Sequence, residues 1–147
     1  MPAVLPYLPM ACPCFYPVEP SDGPAGTCVP LGDRWSGVCR AAPDTGWQPD
    51  TTTIRQLCNF GYARTKCPHV PEEGPDAVRF TIVDDRDGVI RIYWVTEKDH
   101  LPFAHGPLDY RRAESAFAQP HPDACIAQQA VAYVSSYLRR RGESSRL

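Results

Sequence analysis

Hydrophobic and polar residues alternate along two stretches in the second half of the chain. Apolar side chains occupy every second position in both of them: Val78, Phe80, Ile82, Ile90, Ile92 and Trp94. The segment between them, residues 84–88, reads Asp-Asp-Arg-Asp-Gly and has the composition of a tight turn. The pattern therefore predicts a β-hairpin over residues 77–95 with one buried face and one polar face.

A helical pattern follows after residue 121. Its apolar residues fall on one face of a helix: Ile126, Ala130, Tyr133, Val134, Tyr137 and Leu138. We expect a helix over about 122–140, capped by Asp123, because an Asp side chain accepts hydrogen bonds from the free N–H groups of a first turn. Residues 99–121 contain three prolines and one glycine, so we expect mostly ordered loop there. Laying the helix across the apolar face of the hairpin, with the first half packed alongside, gives an α+β fold.

The first half of the chain differs in composition. It holds six of the seven cysteines, and eight of the seventeen prolines fall within residues 1–30. We expect residues 1–49 to be loop-like, followed by a short helix from Asp50 or Thr51 to Gly61 and a linker at 68–75. Such a segment has few periodic apolar positions with which to bury a core, so metal ligation or disulfides must order it. At 147 residues we expect a single domain, with a cysteine-rich metal-binding half at 1–75 and a hairpin-plus-helix half at 76–147.

Charge and hydropathy narrow the function classes. The net charge is −2 and the pI is about 6.0, so no overall basic field attracts nucleic acid. No stretch approaches the ~20 apolar residues that span a bilayer, and the first residues lack the positive charge of a signal peptide. We therefore expect a cytoplasmic protein without membrane insertion. In a reducing compartment, clustered cysteines bind metal or do redox work more often than they form structural disulfides.

The cysteine spacing favours an iron–sulfur cluster. The cysteines of the first half are Cys12, Cys14, Cys28, Cys39, Cys58 and Cys67. Zinc sites commonly use Cys-x2-4-Cys pairs on tight turns, and this chain has none. A [4Fe-4S] cluster is larger and takes one thiolate on each iron, so it can use cysteines from several separate loops. Proline directly after a cysteine, as at Cys12-Pro13 and Cys67-Pro68, also recurs in cluster proteins.

Four cysteines are expected to serve as ligands. Cys58 and Cys67 close a loop around a helix end, and Cys39 follows a Trp-Ser-Gly-Val turn. Cys12 and Cys14 compete for the fourth position, and because side-chain directions alternate along an extended segment we expect only one of them to face the site. We expect Cys28 and Cys125, the latter near the helix start, to lie outside it.

These motifs resemble a group of small uncharacterised bacterial proteins. The matching segments are Cys12-Pro13-Cys14-Phe15-Tyr16-Pro17, Trp35-Ser36-Gly37-Val38-Cys39 and Cys58-Asn59-Phe60-Gly61-Tyr62-Ala63 with Cys67. The group carries Cys-Pro-Phe-Phe-x-Pro near its start, so Cys12 matches its cysteine, whereas Cys14 stands where the pattern has Phe. The resemblance thus implies the ligand set Cys12, Cys39, Cys58 and Cys67, and it implies no activity.

Other interpretations of the cysteines stay open. Zinc can bind an overlapping set, with His69 as a further ligand. Cys58 and Cys67 can form a disulfide if the compartment is oxidising. The thiols can also be buried as small apolar side chains.

An enzyme is not indicated by any motif. His100 and His105, with carboxylates nearby at Glu97, Asp99 and Asp109, are candidates for acid–base chemistry, but a polar loop accounts for them as well. Hydrolase, nucleotide-binding and zinc-protease motifs do not occur in the sequence. We expect a small iron–sulfur protein that serves electron transfer, redox sensing or structural ordering, with a protein or redox partner. The alternative is a zinc-stabilised module that binds another protein.

Overall fold

A computed structural model of the protein describes residues 11–20, 31, 35–40 and 74–142. The elements in this part of the chain are β1 (Phe15–Pro20), β2 (Trp35–Cys39), β3 (Ala77–Arg86), β4 (Val89–Lys98), β5 (Leu101–Arg111), β6 (Ala116–Phe117) and α1 (Ala124–Arg140). Strands β1 and β2 form one antiparallel sheet, and β3 to β6 form a second one in chain order. The predicted α+β class is therefore confirmed. Among these residues, no helix is long and apolar enough to cross a membrane.

The predicted hairpin is formed by β3 and β4. Its tight turn lies at Asp87 and Gly88, whose φ angles are 56° and 78°. An Asp-Gly pair suits this turn, because both positions require the left-handed region that these residues tolerate best. Ile82 pairs with Ile92 across the strands, and Ile90 and Ile92 are completely buried. The hairpin and its buried face are confirmed.

The segment after the hairpin is a strand, and the prediction of a loop over residues 99–121 is wrong there. Strand β5 pairs with β4 along its length, and Leu108 and Tyr110 are buried. Pro107 is tolerated because β6 pairs only with the end of β5, so among the described strands one edge of β5 is open at this proline. The prolines and Gly106 concealed the alternation that a strand normally shows.

Helix α1 begins and ends close to the predicted positions. The carboxylate of Asp123 accepts hydrogen bonds from the backbone N–H groups of Cys125 and Ile126, at 2.8 and 3.1 Å, so its predicted role as N-cap is confirmed. The predicted apolar stripe faces inward: Ile126, Ala130, Val134 and Leu138 are buried, and Tyr133 and Tyr137 pack at the edge of the core.

The described part of the first half shares this core. Ala11, Phe15, Leu31 and Trp35 are almost completely buried in one cluster with residues of β3, β4, β5 and α1. Helix α1 packs mainly against β1 rather than across the β3–β4 hairpin. The prediction that residues 1–49 are loop-like is therefore wrong for 15–20 and 35–39. The predicted helix at 50–61 and most of the predicted linker at 68–75 lie outside the described residues.

Candidate cysteine site

The candidate site starts with a turn that holds Cys12. The backbone N–H of Ala11 donates to the carbonyl oxygen of Val78 in β3 at 2.7 Å, and the N–H of Val78 donates to the carbonyl oxygen of Ala11 at 2.9 Å. The chain then turns, and the N–H of Phe15 donates to the carbonyl oxygen of Cys12 at 3.0 Å. Cys12 is therefore anchored to the large sheet on one side and to the start of β1 on the other. Its side chain is buried.

One buried glutamine of α1 fixes the same turn. The Nε2 group of Gln129 donates to the carbonyl oxygens of Cys12 and Phe15, both at 2.8 Å. Gln129 is completely inaccessible to solvent, and its Oε1 atom has no hydrogen-bond partner in the described part of the chain. The two N–H bonds of this amide group thus link the cysteine turn to the helix, and the amide oxygen is left without a hydrogen bond among the described residues.

Cys39 reaches the site through the β1–β2 hairpin. It pairs with Phe15 in the ladder, and the N–H of the next residue, Arg40, donates to the carbonyl oxygen of Cys14 at 2.8 Å. Gly37 permits this pairing, because a Cβ atom there would lie only 2.1 Å from the carbonyl oxygen of Tyr16. Cys39 is buried like Cys12, so both are held at one end of the hairpin.

Cys125 joins these residues from the first turn of α1, although we expected it outside the site. Its thiol donates weakly to the carbonyl oxygen of Cys14, with a sulfur–oxygen distance of 3.7 Å. Burial and then the negative charge of Asp123 raise the pKa of Cys125 to about 12, while Arg40 opposes the shift; the nearby thiols of Cys12 and Cys39 raise it by smaller amounts. The thiol of Cys125 is therefore close enough to Cys12 and Cys39 to interact with them electrostatically.

Cys12 and Cys14 lie close together. The neighbouring Cys14 side chain, followed by burial, raises the pKa of the Cys12 thiol well above its usual value. Our premise that alternation separates these two side chains does not hold, and which of them is a ligand stays a prediction. The physical reason is that residues two positions apart lie on the same side of an extended chain, and only successive residues alternate. Cys14 is half-buried, so it is the more accessible member of the pair.

The described residues supply two of the four predicted ligands. Cys12 and Cys39 are both buried, whereas Cys58, Cys67, Cys28 and His69 lie outside the described residues. Within 11–20, 31, 35–40 and 74–142, no group of three or more His, Cys, Asp or Glu residues is arranged to hold a metal ion. A metal centre that uses Cys12 and Cys39 therefore needs ligands from the other segments, which is where Cys58 and Cys67 fall in the sequence. Cys12, Cys14, Cys39 and Cys125 all carry thiols rather than disulfides.

His100 and His105, the candidates for acid–base chemistry, lie on or beside strand β5. His105 is hydrogen-bonded through Nδ1 to the hydroxyl of Tyr93 at 2.5 Å, and the two rings stack. His100 lies in the tight turn between β4 and β5, with a φ of 65°. The carboxylates of Glu97 and Asp109 form ion pairs with arginines of the same sheet, at 3.5 and 2.8 Å. This arrangement joins the neighbouring strands on the surface of the sheet.

A groove near Trp94 was not predicted. It has a volume of about 490 Å³ and is walled by Trp94, Leu108, Pro120, His121 and Pro122. The His121 ring meets the indole edge-on, with ring centres 4.4 Å apart, and burial lowers the pKa of His121. Gly106 opens the floor of the groove, because a Cβ atom there would lie 3.2 Å from Nε1 of Trp94. The proline-rich segment after β6 was the sequence signal for this feature.

No family model matches this chain, and neither a curated protein nor a solved structure shows significant similarity to it. The resemblance to the small bacterial group therefore rests on the cysteine motifs alone.

Proposed function

We propose that this chain is a small cytoplasmic iron–sulfur protein that binds a [4Fe-4S] cluster through Cys12, Cys39, Cys58 and Cys67. Its function is electron transfer, redox sensing or cluster-dependent ordering of the chain, with a protein or redox partner. The observation that carries the proposal is that Cys12, in the turn before β1, and Cys39, at the end of β2, are both buried, and that Cys39 pairs with Phe15 at the end of the β1–β2 hairpin where this turn enters β1.

The surroundings of these thiols suit a cluster. Phe15 and Trp35 are almost completely buried close to them in sequence and supply an apolar wall, which limits solvent access and tunes the potential. Arg40 adds positive charge next to Cys39, and in the sequence Arg64 and Lys66 stand beside the remaining two ligands. Positive charge near a cluster raises its reduction potential.

The raised pKa of Cys12 has a direct consequence for metal binding. The thiol of Cys12 stays protonated at neutral pH in the absence of metal, because the neighbouring Cys14 side chain and burial disfavour the thiolate. A metal must displace that proton to form the thiolate bond, so binding releases protons and strengthens as the pH rises. The free energy of ligation thus offsets the cost of a buried thiolate, and it does so only in the folded chain.

A zinc-stabilised interaction module is the second candidate. It is favoured by two exposed apolar side chains near the β4–β5 turn, Leu101 and Phe103, which are 67% and 60% exposed. Neighbouring apolar residues on a surface are a feature of protein-binding sites. In this alternative, zinc takes an overlapping set of the same cysteines, with His69 as a further ligand.

Substitution of single cysteines tests the ligand assignment. Cys39→Ser, Cys58→Ser and Cys67→Ser should each abolish most of the iron in protein purified without oxygen, because each removes one corner of the cluster. Cys12→Ser should remove much more iron than Cys14→Ser. Cys28→Ser is the matched control and should retain the wild-type iron content. Full iron occupancy in the Cys39→Ser, Cys58→Ser and Cys67→Ser variants would refute the assignment, and zinc in place of iron would favour the second candidate.

A further inference from the structure

We propose that the groove beside Trp94 binds a proline-rich segment of a partner protein in the polyproline II conformation. Most of its walls are apolar side chains and rings: Trp94, Pro107, Leu108, Pro120, His121 and Pro122. Aromatic-lined grooves recognise extended proline-rich segments, because such a segment is stiff before it binds and loses little conformational entropy. None of the described residues that line the groove is a cysteine, so the proposal does not depend on what the cysteines bind.

Gly106 leaves room for a ligand next to the indole of Trp94. A Cβ atom at this position would lie 3.2 Å from Nε1 of Trp94 and 3.4 Å from two carbons of the same ring system. The indole therefore lies directly beside the bare backbone of Gly106, and a side chain there would take up that space. Trp94 is only half-buried, so a ligand in the groove can reach part of its ring.

The wall formed by residues 118–122 is held at both ends. The N–H of Ala118 donates to the carbonyl oxygen of Asp109 in β5 at 2.9 Å. At the other end, the N–H of Asp123, the N-cap of α1, donates to Nδ1 of His121 at 2.9 Å. Two prolines within the segment restrict its backbone further. The groove is therefore formed before a ligand arrives, which lowers the entropic cost of binding.

The indole N–H of Trp94 favours a ligand that is rich in carbonyl oxygens. Among the described residues this N–H has no hydrogen-bond acceptor. A proline residue has a carbonyl oxygen and no N–H, and the polyproline II conformation leaves these oxygens without internal hydrogen bonds. Such a segment can accept a hydrogen bond from the indole while its rings pack against the apolar walls.

The charge of the groove points to the same kind of ligand. The carboxylate of Asp109 accepts two hydrogen bonds from Arg91, at 2.8 and 3.0 Å, and is neutralised by it. Burial lowers the pKa of His121, so its ring is uncharged at neutral pH. An acidic, phosphorylated or basic segment therefore meets no unpaired opposite charge among the described side chains of the groove. A run of prolines has no charge to desolvate on this surface.

The test titrates the full chain, purified without oxygen, with an octaproline peptide that is acetylated and amidated at its ends. Nuclear magnetic resonance of isotope-labelled protein follows the indole N–H signals of the three tryptophans, and the signal that is missing from Trp94→Phe identifies Trp94. Octaproline should shift the Trp94 signal to saturation. The Trp35 signal should stay in place, because that indole is completely buried and donates to Ser136.

Three variants locate the binding site by calorimetric titration, after thermal unfolding has shown that each is folded. Trp94→Phe should weaken octaproline binding about tenfold, because it removes the donor and part of the ring. Gly106→Ala should also weaken it, because the new methyl group fills the space beside the indole; it decides the matter if Trp94→Phe does not fold. Tyr93→Phe is the matched control: Tyr93 stacks on His105 on the opposite face of the sheet, so its binding should equal that of the wild type.

No saturable shift of the Trp94 signal, or equal affinity in the wild type and in folded Trp94→Phe and Gly106→Ala, would overturn the inference. Saturation by a phosphoserine peptide of the same length, or by benzoate, without saturation by octaproline would also overturn it. The iron content is measured on the same samples. Failure of octaproline to bind an iron-containing protein leaves the proposed cluster untouched, whereas binding to a protein that never contains iron supports the inference and counts against the proposed function.

Discussion

Replacement of Gln129 by methionine should destabilise the fold through the cysteine turn. Methionine has nearly the same length and flexibility as glutamine, so it fills the space without donating a hydrogen bond. The two 2.8 Å bonds from Nε2 to the carbonyl oxygens of Cys12 and Phe15 are lost. Gln129 is completely buried, so water cannot simply replace its amide.

The expected change in the free energy of unfolding follows from the hydrogen bonds that Gln129→Met removes. Each lost hydrogen bond to a buried carbonyl costs about 1–2 kcal/mol, because the oxygen loses a partner that solvent does not restore. The Oε1 atom of Gln129 has no partner among the described residues, and its removal recovers about 1 kcal/mol of desolvation cost. The net loss in the free energy of unfolding is therefore about 2 kcal/mol.

Urea denaturation of the reduced protein measures this difference, provided that the slope against denaturant is unchanged. Gln128→Met is the matched control: Gln128 is its half-buried neighbour and donates one 3.1 Å bond to the Pro17 carbonyl, so its loss should cost at most ~1 kcal/mol. Alkylation of Cys12 should also become faster in Gln129→Met, because the turn that buries it loosens. If Gln129→Met is as stable as the wild type, the amide does not hold the cysteine turn.

Two further substitutions test the parts that support the site. Gly37→Ala should cost several kcal/mol and uncouple β1 from β2, because the new Cβ would lie 2.1 Å from the Tyr16 carbonyl oxygen; a stable Gly37→Ala protein with wild-type thiol reactivity would contradict the pairing. Hydrogen bonds from Arg112 and then Tyr137 lower the pKa of Asp85 to about 2. This folded pKa is below the unfolded value of about 3.9, so the hydrogen bonds to the Asp85 carboxylate stabilise the fold above pH ~4, by at most ~2 kcal/mol. This contribution is lost as the pH falls towards 2 and the carboxylate is protonated. In Asp85→Asn, the free energy of unfolding should fall less between pH ~4 and pH ~2 than in the wild type. An unchanged dependence on pH would refute this role of Asp85.

The second half was predictable where its periodicity was regular. The β3–β4 hairpin and α1 show uninterrupted spacing of two and of three to four residues, so pattern alone located them. Strand β5 was missed because Gly106 and Pro107 interrupt the alternation just before Leu108 and Tyr110. The strand accommodates Gly106 and Pro107 because β6 pairs only with the end of β5. The pairing of strands in the sheet determines this, and the sequence of the segment alone does not show it.

The first half was less predictable because distant residues order it. Gln129 lies 117 positions from Cys12 in the sequence, and the Trp35 indole donates to the buried Ser136 hydroxyl 101 positions away, at 3.2 Å. Short strands that contain prolines have little intrinsic preference for their conformation. Their stability comes from contacts with α1, and a sequence pattern does not reveal such contacts.

The candidate site was predictable only in part. The sequence favoured Cys39 and the resemblance favoured Cys12 over Cys14, and both thiols are buried near the end of the β1–β2 hairpin where Phe15 pairs with Cys39. That they bind metal stays a prediction. The effect of Cys14 on the pKa of the Cys12 thiol was missed, because residues two positions apart lie on the same side of an extended chain and we placed them on opposite sides. Cys125 was missed because its place depends on how the start of α1 docks onto β1, which local sequence does not determine.

The metal content of the wild-type protein, purified without oxygen, tests the central proposal most directly. The account predicts a brown protein with about four irons and about four acid-labile sulfides per chain, and with little zinc. Colourless protein with about one zinc per chain would contradict the cluster and favour the interaction module. Protein that contains neither metal, with all its thiols free to react once it is unfolded, would contradict both.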